Sequence, residues 1–180
     1  MAKSEKEIIS SGFPPIAASD ARILILGSLP GVASLSAVEY YAHRRNAFWP
    51  IMREVFGTEG SYAERCRSLC ENRVAVWDVL DSSVRPGSLD AAIRLDSATP
   101  NDFNKFFSNH KDIVRTCFNG KTAERLFRRL VLPDLESGWP EMAGLPSTSP
   151  AYASMSFDQK LAIWRSMLAE ITGNSWRGRK

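Results

Sequence analysis

The sequence predicts an α/β protein: a three-layer α/β/α sandwich around a central, mostly parallel four-stranded sheet. Two observations predict this fold class. Short apolar segments rich in β-branched residues recur along the chain of 180 residues, and segments with apolar side chains at helical spacing lie between them. Strands that alternate with helices pair in parallel. The length fits one domain, so residues 1–180 are interpreted as a single unit with loose ends at 1–12 and 173–180.

The predicted strands are short and apolar. Residues 21–26 form an apolar run that Gly27 ends, which is typical of a strand buried on both faces. Residues 74–77 and 113–118 have the same character, and residues 141–145 are a weaker fourth. Ligands of open α/β sheets bind outside the carboxyl ends of the strands, so the loops that follow them are expected to carry the function. These loops are residues 27–46, 78–89, 119–121 and 146–151.

Apolar spacing and capping signals predict the helices between the strands. Thr99 and Pro100 fit a helix N-cap followed by proline at the first helical position. Ser156 and Gln159 fit a capping box before the last helix. The residues expected to share buried helical faces are Phe48, Ile51, Met52 and Val55; Tyr62, Cys66, Leu69 and Cys70; Phe103, Phe106 and Phe107; Ala123, Leu126, Phe127 and Leu130; and Phe157, Leu161, Trp164 and Leu168.

Composition excludes several classes of protein. The chain has three cysteines without CxxC spacing and two histidines, which argues against a disulfide framework, a zinc site or any other metal, and we expect no cofactor. No apolar run approaches the ~20 residues of a membrane span, and the N-terminus does not resemble a signal peptide, so a cytoplasmic monomer is expected. The net charge of +3 is compatible with nucleic acid as a partner. Basic clusters such as Arg44-Arg45 and Arg128-Arg129 suit DNA, or are solvated helix faces.

Three segments are candidates for the chemistry. The first loop, Gly27-Ser28-Leu29-Pro30-Gly31, allows a tight turn that presents backbone amides, but it fits neither a Walker A loop nor GxGxxG. Residues 40–49 combine four aromatic side chains with His43, Arg44, Arg45 and Asn46, which suits a nucleobase and its phosphates. The alternative is that Phe48 and Trp49 are core residues at the start of a helix. The last loop contains Pro146, Ser147, Thr148, Ser149, Pro150 and Ala151, a rigid turn whose hydroxyls suit phosphate oxygens.

In this order and on these strands, the motifs resemble the uracil-DNA glycosylase superfamily. The combination Gly-Ser-Leu-Pro-Gly, Tyr-Tyr-Ala-His-x-x-Asn-x-Phe-Trp and Leu-Pro-Ser-Thr-Ser-Pro-Ala is most similar to its hypoxanthine-DNA glycosylase branch. The resemblance spans about residues 23–164. The best-known uracil enzymes carry Asp or Asn in the first loop, where this chain has Ser28 and Leu29, and a histidine in the last loop, which this chain lacks.

The resemblance implies a monofunctional enzyme that flips a deaminated base out of DNA and releases it by hydrolysis, leaving an abasic site. The matching catalytic residue is Asn46, whose amide oxygen would orient water; it also stands where a helix N-cap is expected. An ionised Asp78 would accept the N1–H of hypoxanthine, a proton that adenine lacks. The alternative is a structural Asp78 that caps the next turn together with Asp81 or Ser82.

The remaining candidates divide between pocket and DNA. Gly27, Ser28, Leu29, Pro30, Tyr41, Phe48 and Asn119 are predicted to form the base pocket with Asp78, although Asn119 also fits a turn. His43, Arg44, Arg45, Ser147, Thr148, Ser149, Pro150 and Tyr152 are predicted to contact DNA, although His43 also fits an exposed loop and Tyr152 also fits packing beneath one. A uracil or thymine mismatch glycosylase, and a nucleic-acid-binding domain without catalysis, are the alternative functions.

Overall fold

A computed structural model describes residues 9–136 and 138–172, and side chains only as far as residue 169. Its central sheet has four parallel strands in the order β3-β2-β6-β7 and is flanked by helices, which confirms the predicted fold class. The strands are β2 (Ile23–Gly27), β3 (Val74–Asp78), β6 (Arg115–Asn119) and β7 (Glu141–Leu145). Every residue of β2 and β3 is buried, as continuous apolar runs in a covered parallel sheet should be.

The sheet register places the ends of these strands side by side. Gly27 pairs with Asp78, and Asn119 pairs with Leu145, so four strands end at one edge. The predicted strand 113–118 is displaced: pairing begins at Arg115 and extends to Asn119. This displacement brings the side chain of Asn119 to the edge at which ligands bind in such sheets.

The described ranges contain six α-helices, five between strands and the last after β7: α1 (Val32–Ala37), α2 (Phe48–Phe56), α3 (Tyr62–Glu71), α4 (Phe103–Asn109), α5 (Lys121–Leu130) and α6 (Phe157–Thr172). The predicted capping box of α6 is confirmed, because Ser156 N donates to Gln159 and Gln159 N donates to Ser156 Oγ. The predicted burial of Phe157 is wrong, since it is 39% exposed. No helix in these ranges is long and apolar enough to cross a membrane.

The predicted start of α4 is wrong. Residues Thr99–Pro100 form a short strand, β5, and the helix begins after Asp102, whose carboxylate accepts from Lys105 N at 3.0 Å. Asp is as effective an N-cap as Thr, and the intervening Asn101 is held by a hydrogen bond from its side chain to the carbonyl oxygen of Asp78. The segment is therefore tied to the end of β3.

A second sheet was not predicted. The strands β1 (Ile9–Ser11), β4 (Leu80–Val84) and β5 form an antiparallel sheet in the order β1-β4-β5. The prediction of a loose N-terminal end is therefore wrong from residue 9 onward; residues 1–8 and 173–180 lie outside the described residues. The predicted loop 78–89 is also wrong in part, because β4 occupies most of its first half.

Candidate active site

Three chain segments meet at the carboxyl edge of the parallel sheet. The first loop follows β2, and the last loop (residues 146–151) follows β7. The third segment, residues 40–49, is attached to the last loop by a hydrogen bond from Ala47 N to Thr148 O at 2.9 Å. The three segments that the sequence singled out are therefore brought together by the fold.

Asn46 stands at the start of α2. Its side-chain Oδ1 accepts from Phe48 N at 2.9 Å, and its backbone N–H donates to His43 O at 2.7 Å. The alternative that Asn46 is the helix N-cap is wrong: Ala47 is the N-cap of α2, without a side-chain cap hydrogen bond, and Asn46 lies one residue before it. An amide oxygen has two lone pairs, so one remains for a water molecule.

Tyr41 and Phe48 stack on each other beside Asn46. Their ring centroids are 4.0 Å apart with an interplanar angle of 24°. Phe48 is fully buried and also packs edge-on against Trp49 and Trp164, so it belongs to the core and contacts the site through Tyr41. Tyr41 has a left-handed backbone (φ 56°), a conformation that costs energy for an aromatic residue and that the stack helps to hold.

The carboxyl group of Asp78 lies behind the first loop with unused hydrogen-bonding capacity. Asp78 is 3% exposed, and within the described residues its Oδ2 has no hydrogen-bond partner. The buried hydroxyl of Tyr41 makes no hydrogen bond of standard geometry there, although the side chain of Asn119 lies near enough to lower its pKa against the larger effect of burial. Burial raises the pKa of Asp78 to about 7; the charge of Asp90 adds to this and that of Arg85 opposes it. The alternative of a turn cap has no support here, because β4 begins two residues later and no turn follows.

Gly27 is the residue that makes room for this pair. A Cβ atom at this position would lie 2.4 Å from Asp78 Oδ1 and 3.1 Å from the hydroxyl oxygen of Tyr41. Both polar groups therefore approach the backbone of the first loop more closely than any side chain there would permit.

We predict that Gly27→Ala reduces base release by about tenfold or more, because the added methyl group must displace the Asp78 carboxyl. Overpacking of this kind also costs roughly 1–3 kcal/mol of stability. Single-turnover release rates and chemical denaturation measure the two effects. Gly57→Ala is the control: the left-handed backbone of Gly57 (φ 70°) makes alanine costly for stability there too, but a Cβ meets nothing within 4 Å at the far end of α2, so its release rate should stay at the wild-type value. A Gly27→Ala protein with the wild-type rate would contradict the close approach.

Asn119 links two site segments. Its Nδ2 donates to Thr148 Oγ1 at 2.8 Å, and its Oδ1 accepts from Thr148 N at 2.8 Å. Thr148 is 1% exposed. The prediction that Thr148 grips DNA is therefore corrected: its hydroxyl faces Asn119 inside the loop, and its part is to hold the loop against the sheet. Ser147 and Ser149 remain half-buried on the loop, where they accept from the amides of Ser149 and Ala151.

A groove of about 420 Å³ opens beside Asn46. Its lining includes most residues predicted to contact DNA and several that were not predicted: Arg44, Arg45, Asn46, Ala47, Pro50, Thr148, Ser149, Pro150, Tyr152, Ala153, Met155, Phe157 and Lys160. His43 is exposed at the adjoining turn, where its Nδ1 accepts from Arg45 N. Lys160 donates to Tyr152 O at 2.7 Å and lies 5.1 Å from the Tyr152 ring centroid, so it fixes the position of Tyr152 in the groove.

Sequence reasoning missed two charged residues that contact the first loop. Arg85 is buried and donates to the carbonyl oxygens of Leu29 and Pro30, and Asp90 accepts from Ser28 Oγ at 2.6 Å. No motif marks either residue, and only their place shortly after β3 pointed to the site. Within residues 9–136 and 138–172, no three His, Cys, Asp or Glu side chains come close enough together to hold a metal ion.

The fold and these segments define an α/β protein with a candidate ligand site at the carboxyl edge of its parallel sheet, and known proteins identify the family. The chain belongs to the uracil DNA glycosylase superfamily, whose model matches residues 14–168. Its relatives include two proteins named hypoxanthine DNA glycosylase. The one from Methanosarcina barkeri is 34% identical over 113 residues, which cover 61% of this chain and 70% of that protein. The one from Methanosarcina acetivorans is 33% identical over 119 residues, covering 64% and 74%.

A solved structure agrees with this assignment. The solution NMR structure of a Methanosarcina acetivorans protein, provisionally described as a uracil DNA glycosylase, is 30% identical and superposes with a TM-score of 0.69. The match covers 89% of this chain and 99% of that one. The predicted superfamily and the similarity to its hypoxanthine branch are confirmed, and the chain is a DNA glycosylase of this superfamily.

Proposed function

We propose that this DNA glycosylase releases hypoxanthine from DNA by hydrolysis and leaves an abasic site. The observation that carries the choice of base is the pair of buried, unpartnered polar groups at Gly27, the Asp78 carboxyl and the Tyr41 hydroxyl. Buried polar groups without partners are costly, so a pair of them at a binding edge calls for a ligand that satisfies both. The two relatives named hypoxanthine DNA glycosylase support the same choice.

Hypoxanthine satisfies the pair with adjacent groups on one edge. Its N1–H donates to an ionised Asp78, and its O6 accepts from the Tyr41 hydroxyl. Burial raises the pKa of Tyr41 well above neutrality, so its hydroxyl keeps the proton that it donates. Adenine carries no proton on N1 and an amino group in place of O6, and it therefore meets Asp78 and Tyr41 with the wrong polarity at both positions.

The hydrolysis assigns a positioning task to Asn46. Oδ1 holds a water molecule with the lone pair that Phe48 N does not use, and orients it toward C1′ of the flipped nucleotide. The C1′–N9 bond breaks as its electron pair moves to the base, the water oxygen bonds to C1′, and the proton of the water passes to solvent. The departing base takes up a proton from solvent. No covalent intermediate is needed, which agrees with the absence of lysine from the three motifs.

DNA binding is assigned to the groove beside Asn46. Arg44 and Arg45 are exposed in its lining, where guanidinium groups suit phosphates, and Tyr152, which also lines the groove, is 37% exposed. An aromatic side chain at that point suits the gap that a flipped nucleotide leaves in the stack.

We predict that Arg44→Gln and Arg45→Gln each weaken DNA binding, because each removes one phosphate contact. The plot of log K against log salt concentration should become less steep by about one unit of slope. The rate of base release at saturating protein should stay within about twofold of wild type. Fluorescence anisotropy on a labelled duplex between low and physiological salt measures binding. Arg73→Gln is the control, as it removes an equally exposed arginine, paired with Asp20, at the opposite edge of the sheet. Equal salt slopes for the three variants would contradict the assignment.

The proposed activity is tested with end-labelled duplexes that contain hypoxanthine, uracil, xanthine or a G·T mismatch. Alkali then cleaves any abasic site. We expect the fastest release from the hypoxanthine duplex and no strand cleavage without alkali. Faster release of uracil or mismatched thymine would favour a mismatch glycosylase, and binding without release from any duplex would favour a domain that has lost catalysis. Cleavage without alkali would contradict a monofunctional enzyme.

A further inference from the structure

Two residues that follow β4 hold the first loop in place. The guanidinium of Arg85 donates to the carbonyl oxygen of Leu29 at 3.0 Å and also to that of Pro30. Asp90 accepts from Ser28 Oγ at 2.6 Å and pairs with Arg85 at 3.7 Å. Three consecutive residues of the loop are therefore bound to one ion pair.

The burial of Arg85 is expensive for the fold. Its side chain is 1% exposed, and within the described residues its Nε has no partner. An incompletely satisfied buried charge is destabilising relative to an apolar side chain of similar volume. A guanidinium at this position therefore contributes something other than stability, and what it contacts is the first loop, which lies against the Asp78 carboxyl.

We propose that Arg85 and Asp90 are positioning residues for base release, which hold the first loop against the Asp78 carboxyl in the arrangement that a flipped base requires. The inference deepens the proposed function and rests on it, since a flipped base is the ligand for which the loop is arranged. Neither residue belongs to the three motifs, and neither needs to touch the base.

The direction of the loop amides supports this role. The carbonyls of Gly27 and Ser28 accept from the first two amides after β3, at 2.9 and 3.1 Å, and that of Pro30 accepts from the guanidinium. Because C=O and N–H of a trans peptide unit point in opposite directions, the following amides of Ser28, Leu29 and Gly31 face away from these donors. Within the described part of the chain, none of these amides donates to a backbone carbonyl. Fixed amides of this kind stabilise negative charge on a leaving group.

The same ion pair acts on the charge of Asp78. Asp90 raises the pKa of Asp78 and Arg85 lowers it, although burial has the largest effect. The other titratable groups that face Asp78 are the hydroxyls of Tyr40 and Tyr41, whose pKa values burial raises so far that both stay neutral. Removing the charge of Asp90 should therefore lower the pKa of Asp78, and removing that of Arg85 should raise it. Opposite shifts establish that both charges act on Asp78, and the release rate of Arg85→Lys then tests whether the pair positions the loop.

The test compares Asp90→Asn, Arg85→Met and Arg85→Lys with the wild-type chain. ¹³C NMR follows the titration of the Asp78 carboxyl in the free protein, and single-turnover release from a hypoxanthine duplex is measured across the same pH range. Arg115→Met is the matched control, because it removes another largely buried arginine, which pairs with Glu141 at 2.9 Å at the amino end of β6.

We expect the Asp78 midpoint to move to lower pH in Asp90→Asn and to higher pH in Arg85→Met. Arg85→Lys keeps the charge and the midpoint but loses the paired hydrogen bonds to the carbonyls of Leu29 and Pro30, so base release should slow by roughly tenfold. The control should lose stability while its midpoint and rate stay unchanged.

Midpoints that do not move in Asp90→Asn and Arg85→Met, or a wild-type rate in Arg85→Lys, would overturn the positioning role. If Arg85→Met does not fold, the other two variants decide. If the two variants show opposite shifts of the midpoint but the wild-type protein releases no base, the arrangement of the loop is upheld and the proposed function is overturned instead, so the two failures are distinguishable.

Discussion

Asn46→Ala is expected to slow hypoxanthine release by about a hundredfold or more, because loss of an orienting group costs this much in a positioned reaction. The amide oxygen is held by Phe48 N at 2.9 Å, so its free lone pair has a fixed direction before any substrate binds. Alanine removes that acceptor and leaves the groove otherwise intact. Single-turnover release at saturating protein measures the effect on the chemical step alone.

The control separates catalysis from the structural hydrogen bond that Asn46 accepts from Phe48 N. Alanine also removes the hydrogen bond at the start of α2, which costs roughly 1 kcal/mol. Asn46→Ser keeps an oxygen that can accept from Phe48 N, but its shorter side chain does not reach a water at C1′. We therefore expect the free energy of unfolding of Asn46→Ser to lie within about 0.5 kcal/mol of the wild-type value, and its rate of base release to fall as that of Asn46→Ala does. A folded Asn46→Ala protein that keeps more than about a tenth of the wild-type rate would remove Asn46 from the reaction.

The central sheet was predictable because its strands are covered on both faces. Such strands are continuous apolar runs, and residues 23–26 and 74–77 show little else. The strand β4 was not predictable on this basis, since its sequence Leu-Asp-Ser-Ser-Val alternates buried and exposed positions only weakly and holds three polar residues. The strand β1 has three residues, and only its partner strand marks it as ordered.

The candidate site was predictable where chemistry and sequence motif coincide. Gly27 and Asn46 lie in motifs, and the fold brings these motifs to one edge. The contact between Asn119 and Thr148 spans 29 residues, and the contacts of Arg85 with the first loop span 55 and 56. Pairing over such separations depends on the sheet order, and a buried arginine has the same sequence signature as an exposed one. Polar residues that act through other residues are therefore the part that the sequence conceals.

Asp78 is where the needs of the proposed reaction and of the fold oppose each other. With a pKa of about 7, the carboxyl is protonated in the folded protein at pH values where the unfolded chain has already lost that proton. Folding stability therefore falls as pH rises from about 4 to 7 and levels off above that range. Recognition of the hypoxanthine N1–H needs the ionised form, so base release should rise through pH 7 while stability has fallen.

Asp78→Asn should reverse both trends. The neutral amide is expected to remove the rise in release near pH 7 and to lower the rate at pH 8 by about tenfold, because a hydrogen bond to a charged acceptor is the stronger one. The free energy of unfolding at pH 8 should increase by about 2–4 kcal/mol, and this gain should vanish below about pH 3, where the wild-type carboxyl is protonated in both states. Urea denaturation at the two pH values and single-turnover rates from pH 5.5 to 9 measure these effects.

A variant that keeps the wild-type pH profile would show that another group controls release, and one without added stability at pH 8 would show that Asp78 is not buried in its charged form. Because a merely structural carboxylate would lose stability on this substitution, the sign of the change at pH 8 decides between a residue retained for the fold and one retained for the base.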